Sequence, residues 1–252
     1  MKKLIKKITN KLGFDLKRVT EFEPLNFNDL LKDKIYKNPL IFDIGGNKGQ
    51  SIEKYLKIFH QPIIHSFEPN KTDFDLMYKK FKNNKNIFLN NFALGDKTEE
   101  KEFNITVNTG NSSFNKINPG TDWIKKRSKQ YNTTEEGYVT SIQNVNVIKL
   151  DDYCKNNNIN QIDLVKIDTQ GYEDKVLEGS INTIKENKIK VIVAEIMFDD
   201  VYNKYLSFSD IEKFIIPNNF RMIGIDLANN SLFSPLYFFA NVYYFNRNFY
   251  DI

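Results

Sequence analysis

The stretch Ile41-Phe42-Asp43-Ile44-Gly45-Gly46-Asn47-Lys48-Gly49-Gln50 constrains the fold of this chain more than any other. The apolar lead-in Leu40-Ile41-Phe42 reads as a buried strand, and Ile52, Tyr55, Leu56 and Phe59 recur at helical spacing behind it. Between them lies a glycine turn, where bare backbone approaches a ligand because no Cβ holds it away. Strand, glycine turn and helix in that order open an α/β sheet. The spacing Asp43-x-Gly45-x-x-x-Gly49 departs from the dinucleotide fingerprint G-x-G-x-x-G. Asp43 at the strand tip would repel the phosphates that a helix N-terminus otherwise cradles. A ligand with a cationic end and no phosphate fits better, and S-adenosylmethionine, with its ammonium and sulfonium, is such a ligand.

A second apolar strand, Pro62-Ile63-Ile64-His65-Ser66-Phe67, ends at Glu68, 19 residues past Gly49. In open α/β folds an acid about 20 residues past the glycine turn binds ribose hydroxyls. A carboxylate accepts two hydrogen bonds side by side, which suits a vicinal diol. The cofactor-binding set expected from these two motifs is Asp43, Gly45, Gly46, Asn47 and Gly49 around the turn, Glu68 on the ribose, and Pro69 and Asn70 against the adenine.

At 252 residues the chain is long enough for one sizeable α/β core. The single cysteine, Cys154, excludes an internal disulfide and a cysteine-based zinc site, and reads as an inert thiol on a helix. No secretory segment is evident, and no apolar run approaches the roughly 18 residues of a spanning helix, so a cytoplasmic location is expected. Charge is concentrated at the start: residues 1–19 carry seven basic side chains and one acid, whereas the whole chain is only +4. The remainder is nearly neutral and shows no basic face with interleaved aromatics, which argues against nucleic acid as a partner. Leu4, Ile5, Ile8 and Leu12 among the lysines suit either weak contact with an anionic membrane surface or docking on the chain's own body. Oligomeric state is not legible.

Residues 1–38 are expected to form a basic head, linker and short helix, and 39–252 one domain. Strands are expected at 40–44, 62–67, 87–92, 162–168, 191–196, 220–225 and 236–245. Helices are expected near 48–60, 72–81, 172–186 and 208–216. Apolar runs separated by helical patterns predict a mostly parallel sheet with helices on both faces, closed by a C-terminal antiparallel hairpin. Residues 97–146 break the rhythm and read as a lid-like insertion over the mouth of the site, with a strand at 102–107, a helix at 122–131 and a strand at 145–148.

A second acidic group lies at the ends of the later strands. Asp168 ends the fourth strand of this count and Glu195 lies near the end of the fifth, so both face the crevice expected at the carboxyl ends of the sheet. Lys166, two residues before Asp168, projects from the same face and is expected to pair with Asp168 or Glu195.

Taken in order, Asp43-Ile44-Gly45-Gly46-Asn47-Lys48-Gly49, Phe67-Glu68-Pro69-Asn70, Ala93-Leu94-Gly95-Asp96, Asn111-Ser112-Ser113, Leu150-Asp151-Asp152 and Asp163-Leu164-Val165-Lys166-Ile167-Asp168-Thr169-Gln170-Gly171-Tyr172-Glu173 resemble the FkbM family of S-adenosylmethionine-dependent methyltransferases. The resemblance covers about residues 39–198. This chain has Gln170 and Tyr172 where the commoner family block has Glu and Ala. The resemblance implies a Rossmann-like class I methyltransferase fold, adds Asn91, Ala93 and Asp168 to the cofactor contacts, and implies O-methylation of a small-molecule or glycan hydroxyl, as in surface polysaccharide biosynthesis.

Methyl transfer from a sulfonium requires in-line alignment, and a hydroxyl acceptor must also lose its proton. Asp168 is expected as base or acceptor-orienting group, with Glu195 second and Lys166 tuning the pair. Binding of the cofactor's amino group is an equal alternative for Asp168. No compact cluster demands a metal. His65 reads as a satisfied core histidine, and Phe114, Trp123 and Tyr138 as packing or as platforms for a sugar ring. Two rival readings are an NAD-type oxidoreductase or epimerase and a non-catalytic membrane-associated scaffold.

Overall fold

The computed structural model describes residues 26–35, 37–229 and 237–251. The basic head at residues 1–19, with its expected membrane contact, lies outside them. The chain divides into two units, Met1–Lys34 and Ile35–Ile252. Of the first, the described part is the helix α1 (Phe27–Lys34). The Asn26 side chain caps it, accepting from the backbone N–H of Asn28 and Asp29 at 3.0 and 3.3 Å.

The second unit begins with β1 (Leu40–Ile44), α2 (Gln50–Ile58), β2 (Ile63–Phe67), α3 (Lys71–Phe81) and β3 (Ile87–Asn90). Next come β4 (Ala93–Leu94), β5 (Glu99–Thr106), α4 (Asp122–Gln130), β6 (Val139–Ile148) and α5 (Leu150–Asn156). It ends with β7 (Ile162–Ile167), α6 (Glu173–Glu178), α7 (Ile181–Lys185), β8 (Ile189–Met197), α8 (Phe208–Ile215), β9 (Phe220–Asn229) and β10 (Tyr237–Asn246). Among the described residues seven strands form one sheet in the order β3-β2-β1-β7-β8-β10-β9. β10 runs antiparallel to both its neighbours, and the other pairings are parallel. This is the α/β fold read from the sequence, with its closing hairpin.

The central strands are covered on both faces, so they are apolar without alternation. Leu164, Val165 and Ile167 of β7 and Val191, Ile192 and Ala194 of β8 are buried. Connections leave β1 towards β2 and β3, while β7 starts the other half of the sheet. The topological switch therefore falls between β1 and β7, where open sheets bind ligands.

Three expectations are corrected. The third strand stops at Asn90, and Ala93–Leu94 belong to a separate sheet ordered β4-β6-β5. The strand expected at 145–148 begins at Val139, because pairing with β5 extends it through the polar segment Thr140 to Asn144. Strand propensity is weak beside such pairing. The helix expected across 172–186 breaks into α6 and α7 at Gly179-Ser180.

The insertion completes its core with residues from outside it. Trp123, Ile124 and Tyr138 pack with Val201, Tyr202 and Phe238. Trp123 and Tyr138 have no exposed surface, so neither ring is available to stack on a sugar. Position 179 has no room for a side chain, since an added Cβ there would lie 1.8 Å from the backbone oxygen of Gly95. Gly179→Ala should therefore destabilise the protein by about 1–3 kcal/mol, measured as a lower urea midpoint; an unchanged midpoint would mean that the two loops are not in contact.

Candidate active site

A crevice of about 400 Å³ opens at the carboxyl ends of β1, β2, β7 and β8, within the size range of small-molecule sites. Its floor is the turn after β1. Gly45 has φ +85°, and a Cβ there would sit 1.9 Å from the backbone oxygen of Asp168. Only glycine lets the two turns meet so closely.

Beside the floor stands Glu68, at the tip of β2. It is 6% exposed, and its two oxygens accept the backbone N–H groups of Asn47 and Asn70, both at 2.7 Å. Burial pushes this carboxyl up to about 8 despite those two bonds. The fully buried Asp73 adds a second tie, accepting from the side-chain amides of Asn47 (3.3 Å) and Asn70 (3.1 Å). Two acidic side chains thus hold the glycine turn against the loop after β2. Asp73 was not singled out from sequence because a carboxylate in the first helical turn reads as ordinary.

Gly45, Gly46, Asn47, Glu68, Pro69, Ala93, Lys166, Asp168 and Glu195 line the crevice as expected. Four other expected cofactor contacts do not, and each has another place. Asp43 is wholly buried one residue before the end of β1, because the sheet register sets it between Ser66 and Lys166. Ser66 Oγ donates to Asp43 at 2.9 Å, and Lys166 Nζ lies 3.3 Å from its other oxygen. Gly46 closes over it, an added Cβ lying 3.3 Å from Asp43 Oδ2. Gly49 packs against the Phe81 ring at the start of α2. Asn70 caps α3 by accepting from the N–H of Thr72 at 3.0 Å. Asn91 donates to the backbone oxygens of Glu68 and Pro69 at 2.9 and 3.2 Å, fixing their loop from outside.

Lys166 joins the two halves of the site. Its ammonium donates to the Gly45 carbonyl at 3.0 Å and lies 3.2 Å from Asp168 Oδ2. Burial alone would lower its pKa, but Asp168 and Asp43 reverse this and raise it. Burial opposes ionisation of Asp168 as well, yet Lys166 and the Gln170 amide hold that carboxyl below its ordinary value. Glu195 goes the other way. Burial and the charge of Asp168 push it well above the usual carboxylate range, so of the two acids Glu195 is the one that favours keeping a proton.

Gln170, noted from sequence only as a departure, sits at the centre of this group. Its Nε2 donates to Asp168 Oδ1 at 3.0 Å and to Glu195 Oε2 at 2.6 Å. The insertion is fastened to the same turn: Ser113 Oγ donates to the Gln170 carbonyl at 2.7 Å, and Asn115 Nδ2 to the Gly171 carbonyl at 2.6 Å. Glu173 is the first residue of α6, where a carboxylate ordinarily favours its own helix. Its side chain instead accepts from Thr169 N at 2.8 Å and Gly171 N at 3.0 Å, closing the preceding turn, and burial pushes it up to about 7.

The far wall holds residues that sequence reading missed: Asn108, Thr109 and Arg127 from the insertion, Met197 from β8, and Phe238 and Phe239 from β10. They are distant in sequence and carry no motif. Phe114 lines the crevice and packs on Tyr172, with ring centroids 4.5 Å apart. His65 is a core histidine, 2.7 Å from Tyr153 OH and pushed down to about 4 by burial. Cys154 is buried and its thiol is pushed up to about 12. Among the described residues no group of three or more His, Cys, Asp or Glu is placed to hold a metal ion, and no helix is long and apolar enough to cross a membrane.

The buried acids dictate a pH dependence. Glu68, Glu173 and Glu195 keep protons in the folded chain that the unfolded chain has already released by pH 6.5. The folded state thus binds more protons, and stability must fall as pH rises. Unfolded His65 is still about half protonated at pH 6.5, so it offsets part of the fall at the lower end of that range, one group against several acids. Urea midpoints should therefore drop between pH 6.5 and 8, and a rise would mean that these acids are ionised when folded.

The residues of the crevice suit S-adenosylmethionine. Bare backbone at Gly45-Gly46, a carboxyl with lone pairs left at the tip of β2, and the apolar surfaces of Phe67, Pro69 and Leu94 match an amino acid, a diol and a purine. The family described as "Methyltransferase FkbM domain" matches residues 43–222, more than half of the chain. A 2-O-methyltransferase, NoeI, of Sinorhizobium fredii is 23% identical over 169 residues, covering 67% of this chain and 68% of that protein. Among solved structures, precorrin-6y C5,15-methyltransferase of Geobacter metallireducens matches at 9% identity and a TM-score of 0.43, over 92% of this chain and 94% of that one. Aeropyrum pernix fibrillarin with bound S-adenosyl-L-methionine matches at 10% identity and a TM-score of 0.43, over 86% and 73%. These two likenesses are of general outline only. The NAD-type oxidoreductase reading falls with the family match. This chain belongs to the FkbM methyltransferase domain family and is an S-adenosylmethionine-dependent methyltransferase.

Proposed function

We propose that this enzyme transfers the methyl group to a hydroxyl oxygen of a sugar, with Asp168 as the base. The observation that carries the reading is the ionised, partly exposed Asp168 at the tip of β7, held by Lys166 and facing a crevice partly walled by the insertion. The sulfonium of the cofactor supplies the methyl group. The chain's part is to align the acceptor, accept its proton and exclude water.

In this assignment Glu68 receives the ribose hydroxyls, the Gly45-Gly46-Asn47 turn receives the methionine end, and Pro69 and Ala93 flank the adenine. Asp43 acts from beneath the turn, through Lys166, without touching the cofactor. Glu195 keeps Asp168 company as the protonated partner. Residues 97–146 act as the lid. A sugar acceptor is supported by the lining of the crevice, which combines the hydroxyl- and amide-bearing Asn108, Thr109 and Asn111 with the rings of Phe114 and Phe238. Such a mixture recognises both the hydroxyls and the apolar face of a pyranose. The 2-O-methyltransferase activity in the name of the Sinorhizobium fredii relative supports transfer to oxygen.

Calorimetry should detect binding of S-adenosylhomocysteine and none of NAD, and Glu68→Ala should weaken the former by roughly tenfold or more. With tritiated methyl donor and a panel of methyl glycosides, Asp168→Asn should lower transfer by about 10²–10⁴-fold. If that variant loses only cofactor affinity, Asp168 holds the methionine ammonium and is not the base. Wild-type enzyme that binds S-adenosylhomocysteine but methylates no glycoside would reject the sugar assignment alone.

A further inference from the structure

Gln170 is placed against local preference. Its φ of +56° lies in the left-handed region, which glycine and asparagine enter readily and a longer side chain does not. The turn on its own would be better served by either of them. The glutamine carries something else: a carboxamide with enough reach to touch four groups at once. One amide offers two N–H donors and one acceptor oxygen. Both donors are spent on carboxylates, one on Asp168 and one on Glu195. The oxygen faces Tyr202 OH at 3.0 Å and Asn111 Nδ2 at 3.5 Å. Turning the amide over would set its oxygen against the ionised Asp168 and its donors against the Asn111 amide donor, so the orientation is determined.

We propose that Gln170 is a positioning residue, whose carboxamide holds Asp168 and Glu195 as a linked pair with the Asp168 carboxylate presented to the acceptor. Two carboxylates this close cannot both ionise cheaply. A neutral bridge that donates to both stabilises the ionised Asp168 against its partner without adding a charge. It leaves Lys166 as the cation beside Asp168, and Glu173 and Tyr202 as the other titratable groups facing Glu195. Asn111 comes from the insertion and Tyr202 from the segment after β8, so the amide also registers both elements against the pair. The inference rests on the reading of Asp168 as the group that takes the acceptor's proton.

Two variants separate this role from a structural one. Gln170→Asn keeps an amide and suits the left-handed turn, but is one methylene too short to bridge. Gln170→Glu keeps the length and replaces the donors with a third carboxyl. The carboxyl groups are titrated in full-length protein by carbon-13 NMR, with assignments from Asp168→Asn and Glu195→Gln. Near neutral pH the wild-type protein should show Asp168 ionised and Glu195 protonated. Gln170→Asn should weaken the acidity of Asp168 by about tenfold. Gln170→Glu should move it further in the same direction, and carries the test alone if the shorter variant does not fold. An Asp168 titration identical in all three proteins would overturn the proposal. Failure of the wild-type protein to bind S-adenosylhomocysteine would reject the site assignment separately, because the titrations need no ligand.

Discussion

The site depends on one buried ammonium. Lys166 touches Asp43 in the neighbouring strand, the Gly45 carbonyl above it and Asp168 two residues on. Those contacts tie the cofactor turn of β1 to the tip of β7, across the point where the sheet reverses its order. A cation is tolerable there because two acidic side chains share it, and the cation in turn helps hold Asp168 ionised. Removing Lys166 would leave two neighbouring acids without their shared cation. The closeness of the turns, with Gly45 against the Asp168 backbone, gives the same conclusion sterically.

Around that centre the molecule arranges its acids by environment. Asp168 is held ionised by Lys166 and Gln170, while Glu195, a hydrogen bond away from the same amide, is kept protonated by burial and by its neighbour's charge. Groups of one chemical type are thereby set to opposite protonation states a few ångströms apart, as acid–base sites require. Glu68 and Glu173 play a quieter part. Each is buried at a turn and collects backbone N–H groups, so that the loops lining the crevice are held before any ligand arrives.

The insertion shows how an irregular segment becomes part of a site. It supplies Trp123 and Tyr138 to a small core that Val201, Tyr202 and Phe238 complete. Ser113 and Asn115 then bind the carbonyls of the turn after β7. Its wall residues are therefore held in register with Asp168 by hydrogen bonds to backbone, the least variable partner a chain offers.

Much of this was legible in the residues. The sheet, its closing hairpin and the placing of Glu68, Lys166, Asp168 and Glu195 on one crevice followed from apolar periodicity and from acids at strand ends, which are local properties. What the residues alone misplaced was Asp43, which reads as a ligand contact because it precedes the glycines. Its true neighbours, Ser66 and Lys166, are set by strand register, and register is a property of the assembled sheet. The same holds for Gln170, whose four partners come from the tip of β7, from β8, from the insertion and from the segment before α8. Sequence determined which side chains stand at the carboxyl edge, because strand period and turn chemistry act over a few residues. Tertiary structure decided which of them face the crevice and which face each other, because burial and charge pairing are settled only when distant strands meet.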